Sequence, residues 1–247
     1  MKIGNPFCIS IDSSQCTSLV EGGAFVGKEK FFDIWRYESL QFESGNIYAL
    51  VGEYGQGCMY LSYLLGGKVD FGDLRIYLNE CEVRKQDLQL ISWNLEPSEE
   101  NYGNAVVKKS IENALNSSGT MERFSDIQDK FLLTQPRFNR KLKQLSGERW
   151  RASAALGYAE GRKIFYAPYK TSKFYYQMCQ SGLLKALREL TDAGAIVLLP
   201  VGSDEFVKYI ADKCVYIKPC NFNIGDLRQR YKELFNRDIG LGLLRSK

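Results

Sequence analysis

Residues 47–59 read Ile-Tyr-Ala-Leu-Val-Gly-Glu-Tyr-Gly-Gln-Gly-Cys-Met, and this stretch decides the fold. The apolar residues 47–51 predict a buried strand, and the apolar residues 59–65 predict a helix. The glycines between them are typical of a loop whose backbone N–H groups converge on phosphate oxygens at a helix N-terminus. The sequence therefore predicts a phosphate-binding loop that comprises Gly52, Glu53, Tyr54, Gly55, Gln56, Gly57, Cys58 and Met59.

The last two residues of this glycine loop lack the chemistry that a working loop needs. Such a loop uses a lysine that reaches the β- and γ-phosphates and a serine or threonine hydroxyl that binds Mg²⁺. Cys58 and Met59 stand at these positions. Neither a neutral thiol nor a thioether suits a hard, oxygen-seeking cation. Cys58 is either a reactive thiol at a helix N-terminus or a small buried residue, and we favour the second interpretation.

Composition excludes several classes of protein. The net charge of +4 over 247 residues is too small to indicate a nucleic-acid partner. The seven cysteines form no C-x-x-C pair, so we expect reduced thiols in a cytoplasmic protein. The chain has no histidine, which removes the commonest transition-metal ligand and the commonest general base, so no metal site is expected. No apolar run approaches the roughly 20 residues of a membrane span.

The chain as a whole reads as one α/β domain in four parts. Residues 1–46 predict an antiparallel β layer with a turn at Gly22-Gly23, and residues 95–144 predict a helical insert. Strands and helices alternate over residues 145–218, which favours a mostly parallel sheet. Residues 224–247 predict a tail that contains an amphipathic helix.

Three further motifs follow in a fixed order. Residues 145–149, Leu-Ser-Gly-Glu-Arg, precede an alanine-rich helix. Residues 162–172, Arg-Lys-Ile-Phe-Tyr-Ala-Pro-Tyr-Lys-Thr-Ser, contain a strand, and residues 198–207, Leu-Leu-Pro-Val-Gly-Ser-Asp-Glu-Phe-Val, follow another. Together with the glycine loop, these motifs occur in an order that resembles that of the ATP-binding subunit of ABC transporters. The resemblance extends from about residue 25 to residue 218 and implies the P-loop ABC ATPase fold.

The resemblance assigns positions, and it implies that the catalytic groups are missing from them. Leu145, Ser146, Gly147 and Glu148 match the signature loop. Pro168 and Tyr169 stand where the family has its two carboxylates, and no Asp or Glu occurs in residues 161–188. Gly202 stands where the family has its switch histidine. Because the loop lysine and magnesium hydroxyl are also absent, the resemblance implies no catalytic residue and no Mg²⁺ binding by this chain alone.

Two other family features are assigned less closely. The loop that contacts the transmembrane partner is expected near Trp93, Asn94 and Glu96, within residues 93–102. The aromatic residue that stacks on adenine would be Phe25, Phe31 or Trp35, although each of these also suits the core of a β layer.

The expected function is that of a degenerate ATP-binding subunit. It would pair with a catalytically competent ABC ATPase subunit and a transmembrane subunit, on the inner face of the cell membrane. Its signature loop would act in trans on ATP at the shared interface. One alternative is a structural or regulatory module with no live nucleotide site. Another is an unrelated P-loop enzyme whose lysine is displaced to a residue such as Lys68.

Overall fold

The structure is a computed structural model that describes residues 6–14, 20–26, 29–35, 38–54, 57–72, 74–96 and 104–217. The strands are β1 (Cys8–Asp12), β2 (Val20–Val26), β3 (Glu29–Trp35), β4 (Leu40–Glu43), β5 (Asn46–Val51), β6 (Arg75–Leu78), β7 (Cys81–Glu82), β8 (Ser92–Asn94), β9 (Ile164–Tyr166), β10 (Ile196–Val201) and β11 (Lys213–Tyr216). The α-helices are α1 (Cys58–Leu65), α2 (Lys85–Ile91), α3 (Val107–Ser118), α4 (Phe124–Phe131), α5 (Arg149–Ala159), α6 (Ser172–Met178) and α7 (Leu184–Asp192).

A five-stranded parallel sheet forms the centre of the molecule, in the order β11-β5-β10-β9-β8. All six residues of β10 are buried, as expected for a strand that is covered on both faces. Alternate side chains enter two cores. Ile47, Ala49 and Val51 of β5 pack with helices α3 to α7, whereas Tyr48 and Leu50 pack with α1 and the second sheet. The prediction of a mostly parallel α/β core is confirmed.

The second sheet is antiparallel, in the order β4-β1-β6-β7, and β2 pairs with β3 as a separate hairpin. The apolar side chains of β1 and β6 lie over the α1 side of the parallel sheet. Two of the four strands of this sheet, β6 and β7, come after residue 46 in the sequence. The predicted turn at Gly22-Gly23 is wrong, because both glycines lie inside β2.

Other elements differ from the sequence prediction in detail. The sequence of residues 69–93 predicts only short strands and turns, but helix α2 forms there. The sequence also predicts one helix over residues 177–192, but α6 begins at Ser172 and a π-helical stretch, Cys179–Leu183, separates it from α7. Gly182, at φ +95°, marks this kink. The sequence of residues 205–211 predicts a further helix, but the structure has only a 3-10 turn there, Val207–Tyr209. The predicted tail lies outside the described residues.

Candidate functional site

The glycine loop lies at the carboxyl ends of the parallel strands, the edge where α/β proteins usually bind ligands. It leaves β5 at Gly52, whose N–H donates to the carbonyl of Val201 at the end of β10 (2.9 Å). It enters α1 through Gly57, whose φ of +99° favours glycine. Gly55 and Gln56 lie outside the described residues. The described part therefore has the strand-to-helix arrangement that the sequence predicts.

The side chains of the first two residues of α1 point into the protein interior. Cys58 is fully buried, and its thiol donates to the carbonyl of Gly52 (3.3 Å). Met59 is also buried, as is every other residue of this helix. A buried, hydrogen-bonded thiol agrees with the interpretation of Cys58 as a small packed residue. Neither side chain offers a cation or a hard oxygen to a ligand at the helix N-terminus.

Tyr169 connects three segments at this edge. It follows β9, and its ring meets the ring of Tyr54 in the glycine loop edge to face, with centroids 5.4 Å apart and planes at 77°. Gly202, which follows β10, lies so close that a Cβ on it would be 2.5 Å from the Tyr169 hydroxyl oxygen. The structure thus brings together the predicted loop, the predicted carboxylate position and the predicted switch position.

Pro168 belongs to the scaffold beneath this edge. Its carbonyl accepts a hydrogen bond from the Tyr175 hydroxyl (2.6 Å). Burial raises the pKa of Tyr175, so its phenol remains a neutral donor. Ser172, also buried, accepts hydrogen bonds from the backbone N–H groups of Phe206 and Val207 (2.8 Å each). These bonds fix the segment after β9 to the segment after β10.

Glu96 brings a carboxylate to the same edge from an adjacent strand. It follows β8, and its two oxygens pair with Lys170 (3.0 Å) and with Arg149 at the start of α5 (3.1 Å). Its side chain is 25% exposed. The sequence placed Glu96 near the partner-contacting loop but did not predict these ion pairs, because both partners lie more than 50 residues further along the chain. The ion pairs join the exit of β9 to the signature segment.

The signature segment divides into an exposed and a buried part. Ser146 and Gly147 are exposed just before α5, and no atom lies within 4 Å of a Cβ placed on Gly147. Leu145 is buried. Glu148 is also buried, and it accepts hydrogen bonds from the Thr134 N–H (2.8 Å), the Thr134 hydroxyl (2.7 Å) and Arg137 (3.1 Å). Of the four predicted signature residues, Ser146 and Gly147 are exposed, whereas the side chains of Leu145 and Glu148 face the interior.

The residues predicted to contact a transmembrane partner are not all at the surface. Trp93 and Asn94 lie in β8 rather than in a loop. Trp93 is buried, and its indole N–H donates to the hydroxyl of Ser153 (3.0 Å). Its side chain cannot reach a partner, so the expectation for Trp93 is corrected. Residues 97–103 lie outside the described residues, and nothing is described of the side chains of Phe25, Phe31 and Trp35.

Lys68 does not lie beside the glycine loop. It follows the C-terminal end of α1, whose eight residues span about 12 Å at 1.5 Å per residue. Burial, with Arg162 and Lys85 nearby, lowers the pKa of Lys68. Lys68 is therefore not the displaced lysine of a P-loop, because the loop is at the opposite end of the helix.

Among the described residues, no group of three or more Cys, Asp or Glu side chains is placed to hold a metal ion. No helix in the described part of the chain is both long enough and apolar enough to span a membrane.

Comparison with known proteins identifies the fold. No protein-family model matches the sequence, and no curated protein matches it. Solved structures do match: the ATP-binding subunit of an ABC transporter has a TM-score of 0.60 at 14% identity, over 90% of this chain and 92% of that one. A bacterial ABC transporter cassette, solved as a dimer, has a TM-score of 0.61 at 16% identity, over 85% and 94%.

A third match agrees with these two. A putative ABC transporter ATP-binding protein from Pyrococcus furiosus has a TM-score of 0.58 at 13% identity, over 85% of this chain and 97% of that one. At such low identity the likeness shows the fold alone. This chain has the fold of an ABC transporter ATP-binding cassette, and the predicted fold class is confirmed.

Proposed function

We propose that this chain is a catalytically degenerate ATP-binding subunit of an ABC transporter. In this proposal it pairs with a catalytically competent ATPase subunit and a transmembrane subunit at the inner face of the cell membrane. The observation that carries the proposal is the contrast between two helix starts. At α1, Cys58 and Met59 are buried, whereas before α5, Ser146 and Gly147 are exposed.

The residues around the N-terminus of α1 support the proposed loss of catalysis. Phosphoryl transfer depends on positioning and on charges that stabilise the transition state. Helix α1 carries no charged side chain, and the strand exit that would supply carboxylates presents Pro168 and Tyr169. The backbone N–H groups alone would give weak attraction for phosphate. We therefore expect no hydrolysis at this chain's own loop and no Mg²⁺ bound by it.

The residues just before α5 support a role in trans, on ATP bound by the partner subunit. The Ser146 hydroxyl and the Gly147 N–H precede a helix of 11 residues, whose N-terminus favours a negative charge. A similar cassette has been solved as a dimer bound to ADP and Pi. By analogy, these two donors would contact the γ-phosphate of ATP held by the competent subunit.

The test is Ser146→Arg in the complex reconstituted with its competent and transmembrane subunits. A hydrogen bond to a charged oxygen contributes about 1.5–3 kcal/mol, so losing it lowers the rate roughly ten- to a hundred-fold if it forms in the transition state. The arginine also adds bulk and positive charge where the subunits must close. We expect ATPase activity to be abolished while the chain remains folded and associated.

The matched control is Ser117→Arg, since Ser117 is an exposed serine near the end of α3. This variant should hydrolyse ATP like wild type. If Ser146→Arg also hydrolyses and transports like wild type, the signature segment has no catalytic role. The alternative of a structural or regulatory module with no live site would then be preferred.

A further inference from the structure

The side chain of Tyr169 extends along the carboxyl edge of the parallel sheet. Tyr169 lies just after β9, which is separated from β5 by β10. Its ring nevertheless contacts Tyr54 in the loop that follows β5, and its hydroxyl lies against Gly202 after β10. The side chain therefore extends from its own segment after β9, past the end of β10, to the glycine loop.

From this position we infer that Tyr169 is a built-in plug that excludes phosphate from the glycine loop. Phosphate oxygens need hydrogen-bond donors and positive charge, whereas the ring that Tyr169 places against Tyr54 of the loop presents mainly apolar surface. Building an obstacle against a ligand is a means of specificity distinct from removing attractive contacts. Tyr169 would thus be an obstacle to nucleotide in addition to the missing charged groups, an inference that rests on the proposed function.

Gly202 provides the space that the end of the Tyr169 side chain occupies. A Cβ there would lie 2.5 Å from the Tyr169 hydroxyl oxygen and 3.6 Å from its Cζ atom. Any side chain at residue 202 must therefore displace the end of the tyrosine. This contact supplies a second way to remove the plug that leaves Tyr169 itself unchanged.

The first experiment measures binding of ATP, with and without Mg²⁺, to the isolated chain by titration calorimetry. Three proteins carry the repaired loop, Cys58→Lys with Met59→Ser: the repair alone, the repair with Tyr169→Ala, and the repair with Gly202→Ala. We expect both plug-removing variants to bind ATP at least about ten-fold more tightly than the repair alone. Equal affinity in all three overturns the inference.

The matched control is Tyr209→Ala in the repaired protein. Tyr209 is 68% exposed and packs against Tyr176, in an aromatic contact separate from the Tyr54 and Tyr169 pair. Its removal should leave ATP affinity within about two-fold of the repair alone. A ten-fold gain from this variant would mean that loss of any exposed ring promotes binding, which also counts against the plug.

A second experiment does not depend on the repaired loop, in case Cys58→Lys prevents folding. Gly202→Ala should lower the thermal unfolding midpoint of the otherwise native chain, because the tyrosine must move. In the Tyr169→Ala background the same change should lower it much less. Equal shifts in both backgrounds would show that Tyr169 does not occupy this space. All these measurements use the isolated chain, so their failure leaves the test of Ser146 in the reconstituted complex unaffected.

Discussion

The most informative stability experiment concerns Glu148, which the sequence places in the signature loop and the structure places in the interior. Its carboxylate is 2% exposed and accepts two hydrogen bonds from Thr134 and one from Arg137. The Arg151 guanidinium lies 3.8 Å away. Glu148 therefore holds the turn before α5 against the segment that follows α4. Glu148→Ala would leave the N–H and hydroxyl of Thr134 without their acceptors.

The expected cost follows from these contacts. A hydrogen bond to a charged group contributes about 1.5–3 kcal/mol, and removing one partner of a buried ion pair costs about 3–5 kcal/mol. Arg137 is 41% exposed and can be solvated after the change, which reduces the loss. We expect Glu148→Ala to lower the free energy of unfolding by about 3 kcal/mol. Glu148→Gln keeps an acceptor oxygen and should cost about 1–2 kcal/mol.

The assay is urea unfolding followed by tryptophan fluorescence, with the midpoint and the slope fitted separately. Glu112→Ala is the control, because Glu112 pairs with Lys108 at 3.8 Å and both side chains are 45% exposed. That variant should change stability by no more than about 0.5 kcal/mol. A loss below about 1 kcal/mol in Glu148→Ala, with an unchanged slope, would refute the anchoring role.

Two further stability predictions rest on single contacts. The buried Tyr166 hydroxyl has no hydrogen-bond partner among the described residues, so Tyr166→Phe should be neutral or stabilising by up to about 1 kcal/mol in thermal unfolding, and a clear loss would reveal a partner. A Cβ on Gly157 would lie 2.6 Å from Trp93 and 2.7 Å from Phe165, so Gly157→Ala should cost about 1–3 kcal/mol. Gly147→Ala, which enters open space, should change stability by less than about 0.5 kcal/mol, and an equal loss in both would contradict the packing argument.

The sequence predicted the core of the fold because its strands are continuous apolar runs. Strands β5 and β10 pair in parallel along their whole length and are almost wholly buried, so composition alone identifies them. Helix α2 was missed because Leu88 is its only buried residue, which gives no helical periodicity. The break between α6 and α7 was missed because the apolar pattern continues through Gly182.

The candidate site was less predictable because its contacts join distant segments. The sequence identified the glycine loop and the exposed Ser146, both of which depend on local spacing. The ion pairs of Glu96 depend on β8 lying beside β9, and the strand order cannot be read from the chain. Glu148 belongs to a recognisable motif, and only the approach of Thr134 reveals that it is buried.

The contact between Tyr169 and Gly202 bears on how the family positions are assigned. The resemblance alone aligned Tyr169 with a carboxylate and Gly202 with the switch histidine, although the two residues are more than 30 positions apart in the sequence. In the structure they are neighbours at the ends of β9 and β10. An isolated parallel β-bridge between Lys170 and Val201 fixes how the segment after β9 aligns with the end of β10. Under the proposed function, the two replacements are complementary, since glycine provides the space that the tyrosine fills. Restoring a carboxylate at residue 169 would therefore remove the ring, and restoring a histidine at residue 202 would displace it.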